Sequence, residues 1–124
     1  MNRTKMNKKV MDCCDENGIE KNELYGAYKI FFGTMASEPR LKILNLLREK
    51  KMNVSEIVKK TKMKQTFVSH NLARLNKCGF VQIENGGKFR YYRLNDKTIR
   101  PLLDLIDNHM AGNCVHILRG KNGK

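Results

Sequence analysis

Between Lys62 and Arg93 the chain reads KMKQTFVSHNLARLNKCGFVQIENGGKFRYYR, and the residues that can do chemistry lie at helical spacing. Plotted at about 100° per residue, Lys64–Lys77 places Val68, Leu72 and Leu75 on one side and Gln65, Thr66, Ser69, His70 and Arg74 across the other. The outward set is short, rich in hydrogen-bonding groups and ended by a cation. Side chains of that kind suit a helix that enters a DNA major groove, where base edges offer donors and acceptors. Gln65, Ser69 and His70 are the candidate base readers. A solvated helix face is the plain alternative.

The cysteines are the second chemical group. Cys13, Cys14, Cys78 and Cys114 show no disulfide-framework spacing, and pairing the adjacent Cys13 and Cys14 would require a strained ring. In a reducing compartment they are thiols, suited to zinc or another thiophilic metal, to redox sensing or to packing. Cys78, beside Gly79, reads as a small buried residue ahead of a ligand. No nucleophile–base constellation, phosphate loop or carboxylate pair is present, so the sequence does not read as an enzyme.

The elements that must position the polar face follow from the period of the sequence. Phe80–Glu84 and Phe89–Leu94 are strand-like, and Asn85-Gly86-Gly87 between them is a turn signal. Lys88 and Arg90 put cations on the hairpin, where they can meet phosphates. Before the polar helix, Asn53 or Ser55 can cap a short helix, Val54–Thr61, and Lys62-Met63 makes the turn. Lys64 stands at the capping position of the polar helix and cannot accept from an orphan amide. Upstream, Ser37 caps a helix carrying Leu41, Ile43, Leu44 and Leu47 inward, with Glu38 and Pro39 in its first turn. Arg40, Lys42 and Lys62 can reach a phosphate backbone, although Arg40 can instead brace its own helix. Helix–turn–helix followed by a basic hairpin is a winged helix.

Two further helices flank this unit. Glu23–Met35 carries Leu24, Tyr25, Tyr28, Ile30, Phe31 and Phe32, apolar nearly all round, and so needs two surfaces to pack on, one of them a second subunit. Lys97–Met110, capped by Asn95 or Asp96 and ended by Gly112, carries Ile99, Leu102, Leu103, Ile106 and Met110. The organisation expected is a flexible basic arm over residues 1–22 with one loose turn near Cys13 and Cys14, a mainly helical (α+β) domain over 23–111 and a loose basic tail over 112–124. That is about five helices and a two-stranded wing.

Composition sets bounds on this reading. The chain has 124 residues, 40% hydrophobic and 30% charged, with a net charge of +13. Between Arg40 and Arg93 stand fourteen Lys or Arg against three acids, so +11 of that excess lies in the segment with the polar helix and hairpin. A polyanion is the simplest partner. No apolar run approaches the roughly 20 residues of a membrane span, and the N-terminal stretch lacks the apolar core of a secretory signal, so a cytoplasmic protein is expected.

Four segments, taken in order, resemble the ArsR/SmtB family of bacterial and archaeal transcriptional regulators: Met35-Ala36-Ser37-Glu38-Pro39-Arg40-Leu41-Lys42-Ile43-Leu44, Gln65-Thr66-Phe67-Val68-Ser69-His70-Asn71-Leu72, Cys78-Gly79-Phe80-Val81 and Gly87-Lys88-Phe89-Arg90-Tyr91-Tyr92-Arg93-Leu94. The likeness runs from about Leu24 to Met110. It implies a homodimer joined by its first and last helices, with two recognition helices on a palindromic operator in double-stranded DNA. It also implies repression, which many members relieve on meeting a metal, metalloid or thiol-reactive signal.

The family's sensing sites carry over only in part. Its metalloid Cys-x-Cys positions are Asn53 and Ser55 here. Its zinc motif becomes Asp96-Lys97-Thr98 and His109-Met110-Ala111-Gly112, which keeps Asp96 and His109, two ligands where a tetrahedral site needs four. Its cadmium/lead-type site would use Cys78 and Cys114, with Arg74 at the remaining cysteine position. The candidate ligands are therefore Cys13, Cys14, Cys78, Cys114, Asp96 and His109. Two other readings stand beside a ligand-responsive repressor: a constitutive regulator whose sensing sites have decayed, and a winged-helix module for RNA or a protein.

Overall fold

The computed structural model describes residues 6–118. It divides into two compact units, one ending at Ser37 and the other beginning at Glu38. The first holds α1 (Lys8–Glu16) and α2 (Lys21–Met35). The second runs α3 (Glu38–Leu47), α4 (Val54–Thr61), α5 (Gln65–Lys77), β1 (Val81–Gly86), β2 (Phe89–Leu94), α6 (Ile99–Gly112) and the single turn α7 (Val115–Leu118). No helix among the described residues is long and apolar enough to cross a membrane.

Helix α1 corrects the expectation of an arm with one loose turn. Asn7 caps it by accepting from the Val10 amide at 3.1 Å, Lys8 pairs with Asp12 at 3.0 Å, and Asn17 closes it by donating to the Cys13 carbonyl at 2.8 Å. Local side-chain bonds make this helix, because its one buried residue is Cys14. Helix α7 likewise adds an element to the expected tail. Its Val115, Ile117 and Leu118 are exposed. Helix α2 starts two residues earlier than expected. There Glu20 and Glu23 form a reciprocal capping box.

The core of the second unit is made by the inward stripes of three helices and the root of the hairpin. Ile43, Leu44 and Leu47 of α3, Ile57 of α4, and Val68, Leu72 and Leu75 of α5 are all fully or almost fully buried. Phe80, Val81, Tyr92 and Leu94 close the layer from the strand side, and Ile99 and Leu103 join from α6. The adjacent Tyr91 and Tyr92 face differently: Tyr92 is buried and Tyr91 half-buried. Leu41, also expected inward, is half-buried.

The strands pair antiparallel from Val81↔Leu94 to Gly86↔Phe89. Strand β1 therefore extends through Asn85 and Gly86, and the turn narrows to Gly87 and Lys88 rather than Asn85-Gly86-Gly87. Gly87 has φ +66°, the conformation such a two-residue turn demands. A bridge at Met52, whose amide and carbonyl both bond Tyr92 at 3.0 and 2.8 Å, ties the segment before α4 to the hairpin.

Helix α6 begins at Ile99, two residues later than expected. Asn95 still organises its entry: its side-chain oxygen accepts from the Lys97 and Thr98 amides and its carbonyl from Ile99 and Arg100. Asp96 pairs with Arg100 instead of capping. Arg48, in the turn just after α3, holds α6 by pairing with both Asp104 and Asp107, and Arg100 donates to the Arg48 carbonyl at 2.8 Å. The bond to Asp107, more than the adjoining Asp104, raises the Arg48 pKa above its ordinary value.

Candidate nucleic-acid interface

The interface begins at Asn53. Its side chain accepts from the Glu56 amide at 2.9 Å while Glu56 accepts from the Asn53 amide at 3.0 Å, so α4 starts on a full capping box. Helix α4 ends at Lys62, a non-glycine residue at φ +65° whose amide donates to the Val58 carbonyl at 2.8 Å. That left-handed residue turns the chain sharply, as the Lys62-Met63 turn requires. Helix α5 then starts after Lys64, which makes no side-chain cap.

With Val68, Leu72 and Leu75 inward, the opposite arc of α5 faces water. Gln65, Thr66, Ser69, His70 and Arg74 are all exposed, and so are Lys62 and Lys64 at its start. On the hairpin, Lys88 and Arg90 are exposed too. The nine candidate contact residues therefore present hydrogen-bonding groups and cations from the second unit, five of them Lys or Arg. The hairpin's remaining cation, Arg93, is engaged elsewhere: it pairs with Glu84, as does Lys51 from the segment before α4. The Lys51 bond, then its charge and that of Arg93, holds the Glu84 carboxyl below the usual range. Lys51 also lies 5.4 Å from the centre of the Tyr91 ring.

Two features escape the sequence reading. Arg40 braces α5, donating to the Asn71 side chain at 3.1 Å, and Asn71 donates to the Phe67 carbonyl at 2.9 Å. Asn71 is buried although polar, and this bonding is what permits it. Phe67 itself is 46% exposed on the recognition side of the helix. Together with Arg40, Thr66, His70 and Arg74, Phe67 and Asn71 line an open groove of about 430 Å³. An apolar residue one step from the buried Val68 is the signal that could have marked Phe67 as a surface ring.

The sensing candidates are dispersed in their environments. Cys14 is buried and its thiol donates to the Ile19 carbonyl; burial, with Asp15, Cys13 and Glu23 nearby, pushes its pKa up, away from the thiolate a metal would need. Cys13 and Cys114 are exposed, and Cys78 is half-buried at the end of α5. Asp96 is in its ion pair with Arg100, and His109 lies beside the Asn113 side chain. Among the described residues, no three His, Cys, Asp or Glu come together in a group that could hold a metal ion.

A family model described as bacterial regulatory protein, arsR family, matches residues 37–82, from the start of α3 into β1. An uncharacterized HTH-type transcriptional regulator of Methanocaldococcus jannaschii is 31% identical over 86 residues, which is 68% of this chain and 97% of that protein. The transcriptional activator HlyU of Vibrio cholerae is 26% identical over 88 residues, 71% of this chain and 80% of HlyU. Among solved structures, a homodimeric winged helix-turn-helix DNA-binding domain from Mycobacterium bovis matches with a TM-score of 0.70 at 28% identity, covering 76% of this chain and 87% of that one. With the capped α4, the sharp turn at Lys62, the outward polar arc of α5 and the basic hairpin, these likenesses place the chain in the ArsR family of winged helix-turn-helix, DNA-binding transcriptional regulators.

Proposed function

We propose that the chain is a homodimeric repressor that seats two copies of α5 in successive major grooves of a palindromic operator. The observation that carries this reading is the division of α5 into a fully buried apolar stripe and an exposed arc of Gln65, Thr66, Ser69, His70 and Arg74. Gln65, Ser69 and His70, near the N-terminal end, read base edges. Thr66, Lys62, Lys64, Arg74, Lys88 and Arg90 hold phosphates and set the register. The dimer forms through the apolar residues that α2 and α6 leave exposed, Tyr25, Tyr28, Ile30 and Phe32 on the first and Leu105 and Met110 on the second. Occupancy of the operator then excludes the polymerase, so bound protein lowers transcription.

Fluorescence anisotropy tests the reading. The reduced protein is titrated onto DNA from just upstream of its own gene and onto a scrambled control. Five lysine and arginine contacts per copy give a dimer a slope of about −9 in log K against log salt. A strong preference for the upstream DNA with a steep slope supports the reading, whereas equal binding to both duplexes defeats it in favour of a nonspecific RNA- or protein-binding module. Repeating the titration with zinc, cadmium or hydrogen peroxide tests thiol responsiveness at Cys13, Cys78 and Cys114. A reporter driven by the upstream DNA fixes the sign of regulation, since rising output with added protein would make the chain an activator.

A further inference from the structure

We propose that Phe67 is a specificity-determining residue whose ring contacts the 5-methyl group of an operator thymine. This rests on the operator-reading function above. The polar arc of α5 can answer the nitrogen and oxygen atoms of base edges, but none of Gln65, Ser69 and His70 offers an apolar surface for a methyl group. Phe67 does. It is 46% exposed, while its neighbour Val68 is fully buried, so close to half of the surface of Phe67 is left for a partner. A phenyl ring against the thymine methyl is an established apolar reading contact in the major groove.

The surroundings select nucleic acid as the occupant. Arg40, His70 and Arg74 line the same groove as Phe67, and no acidic residue is among its lining side chains. A protein partner for an exposed ring would more often be met by an apolar rim; here the rim is cationic and suits a base step with its flanking phosphates. The turn that carries the ring is also held in place. The Phe67 carbonyl accepts from Asn71, and Asn71 accepts from Arg40 of α3, so the backbone under the ring is fixed before DNA arrives.

The test uses the full-length protein and deoxyuridine, which differs from thymidine only by the missing methyl. Repeated rounds of binding to a randomised duplex pool yield the preferred site, and each thymine of a half-site is then replaced in turn. For the wild type, replacement at one position should weaken binding about fourfold, the value of one methyl group removed from water. The Phe67→Ala variant loses the contact in both half-sites, so it should bind the thymine duplex about sixteenfold more weakly and show no further loss with uracil, with Phe67→Leu in between. The wild-type measurement stands alone even if a variant folds poorly, and matched melting midpoints show that it has not. Wild-type binding indifferent to every substitution overturns the inference, and so does a Phe67→Ala variant that keeps the uracil penalty. An enriched site with no A·T pair in its half-site overturns it as well. A pool with no enriched sequence removes the operator-reading function and this inference together, whereas enrichment without a methyl effect removes only the latter.

Discussion

Helix α5 turns Gln65, Thr66, Ser69, His70 and Arg74 outward, whereas α2 turns outward Tyr25, Tyr28, Ile30 and Phe32. Each helix leaves side chains that its own unit does not consume, and the chemistry of the remainder differs. On α5 the remainder is made of donors, acceptors and a cation, which water satisfies until a base edge or phosphate replaces it. On α2 it is aromatic and aliphatic surface, joined to a groove of about 360 Å³ lined by Val10, Leu24, Ala27, Tyr28, Phe31 and Phe32. That surface gains from any apolar cover and nothing from a phosphate. The contrast teaches that a small regulator can present two surfaces suited to two classes of partner without either competing for the other's.

The contrast can be broken most forcefully from inside. Leu72→Ala empties a fully buried position of α5 and should cost about 3 kcal/mol of stability, read as a lowered urea midpoint. It should leave the affinity of the folded fraction for DNA unchanged, because the outward arc keeps its residues. On α2, Phe32→Glu alters a ring that is 60% exposed. Self-association should weaken about thirtyfold in sedimentation equilibrium, the cost of losing an aromatic anchor, with helix content unchanged. Arg74→Ala works on the opposite interface. It should weaken binding to all duplexes alike and make the salt slope shallower by about 1 per copy; relaxed preference at a single base pair would instead make Arg74 a base reader.

The smallest effect lies at the hairpin. Lys51 and Arg93 hold the Glu84 carboxyl below the usual glutamate range, so its contribution to stability is complete above that range. It disappears as pH falls through the range to the depressed folded value. Glu84→Gln should therefore flatten the acid side of the stability profile, measured as urea midpoint against pH. The effect should be slight, since both partners of the ion pair are well exposed.

Much of the second unit is legible in the sequence because its signals are local and agree with one another. Asn53 and Glu56 stand at the spacing of a capping box, the apolar residues of α5 recur at helical period, and the hairpin alternates about a glycine turn. Exposure of the nine contact candidates follows from that same period. Helix α1 was illegible for the converse reason: its stability comes from Asn7, Asn17 and a Lys8–Asp12 pair rather than from an apolar stripe, and polar helices look like linkers. The sequence leaves the turn ambiguous because Asn85, Gly86 and Gly87 are all turn formers, and only the observed register selects Gly87 and Lys88. Arg40 was ambiguous for a third reason. Its partner Asn71 is 31 residues away in the chain, and no periodicity announces a bond across that distance.

The bridge between Met52 and Tyr92 gives the hairpin the mechanics of a cantilever. Its root is clamped twice, by the paired amides and carbonyls of those two residues and by the burial of Tyr92 and Leu94, while its far end is only Gly87 and Lys88. Agitation at the tip is expected to bend the outer rungs and to die out before reaching α4, which would let the beam follow a groove of varying width while the helices at its base keep their aim. Amide hydrogen exchange would show this as a gradient along one strand, slowest at Tyr92 and quickening outward to the turn.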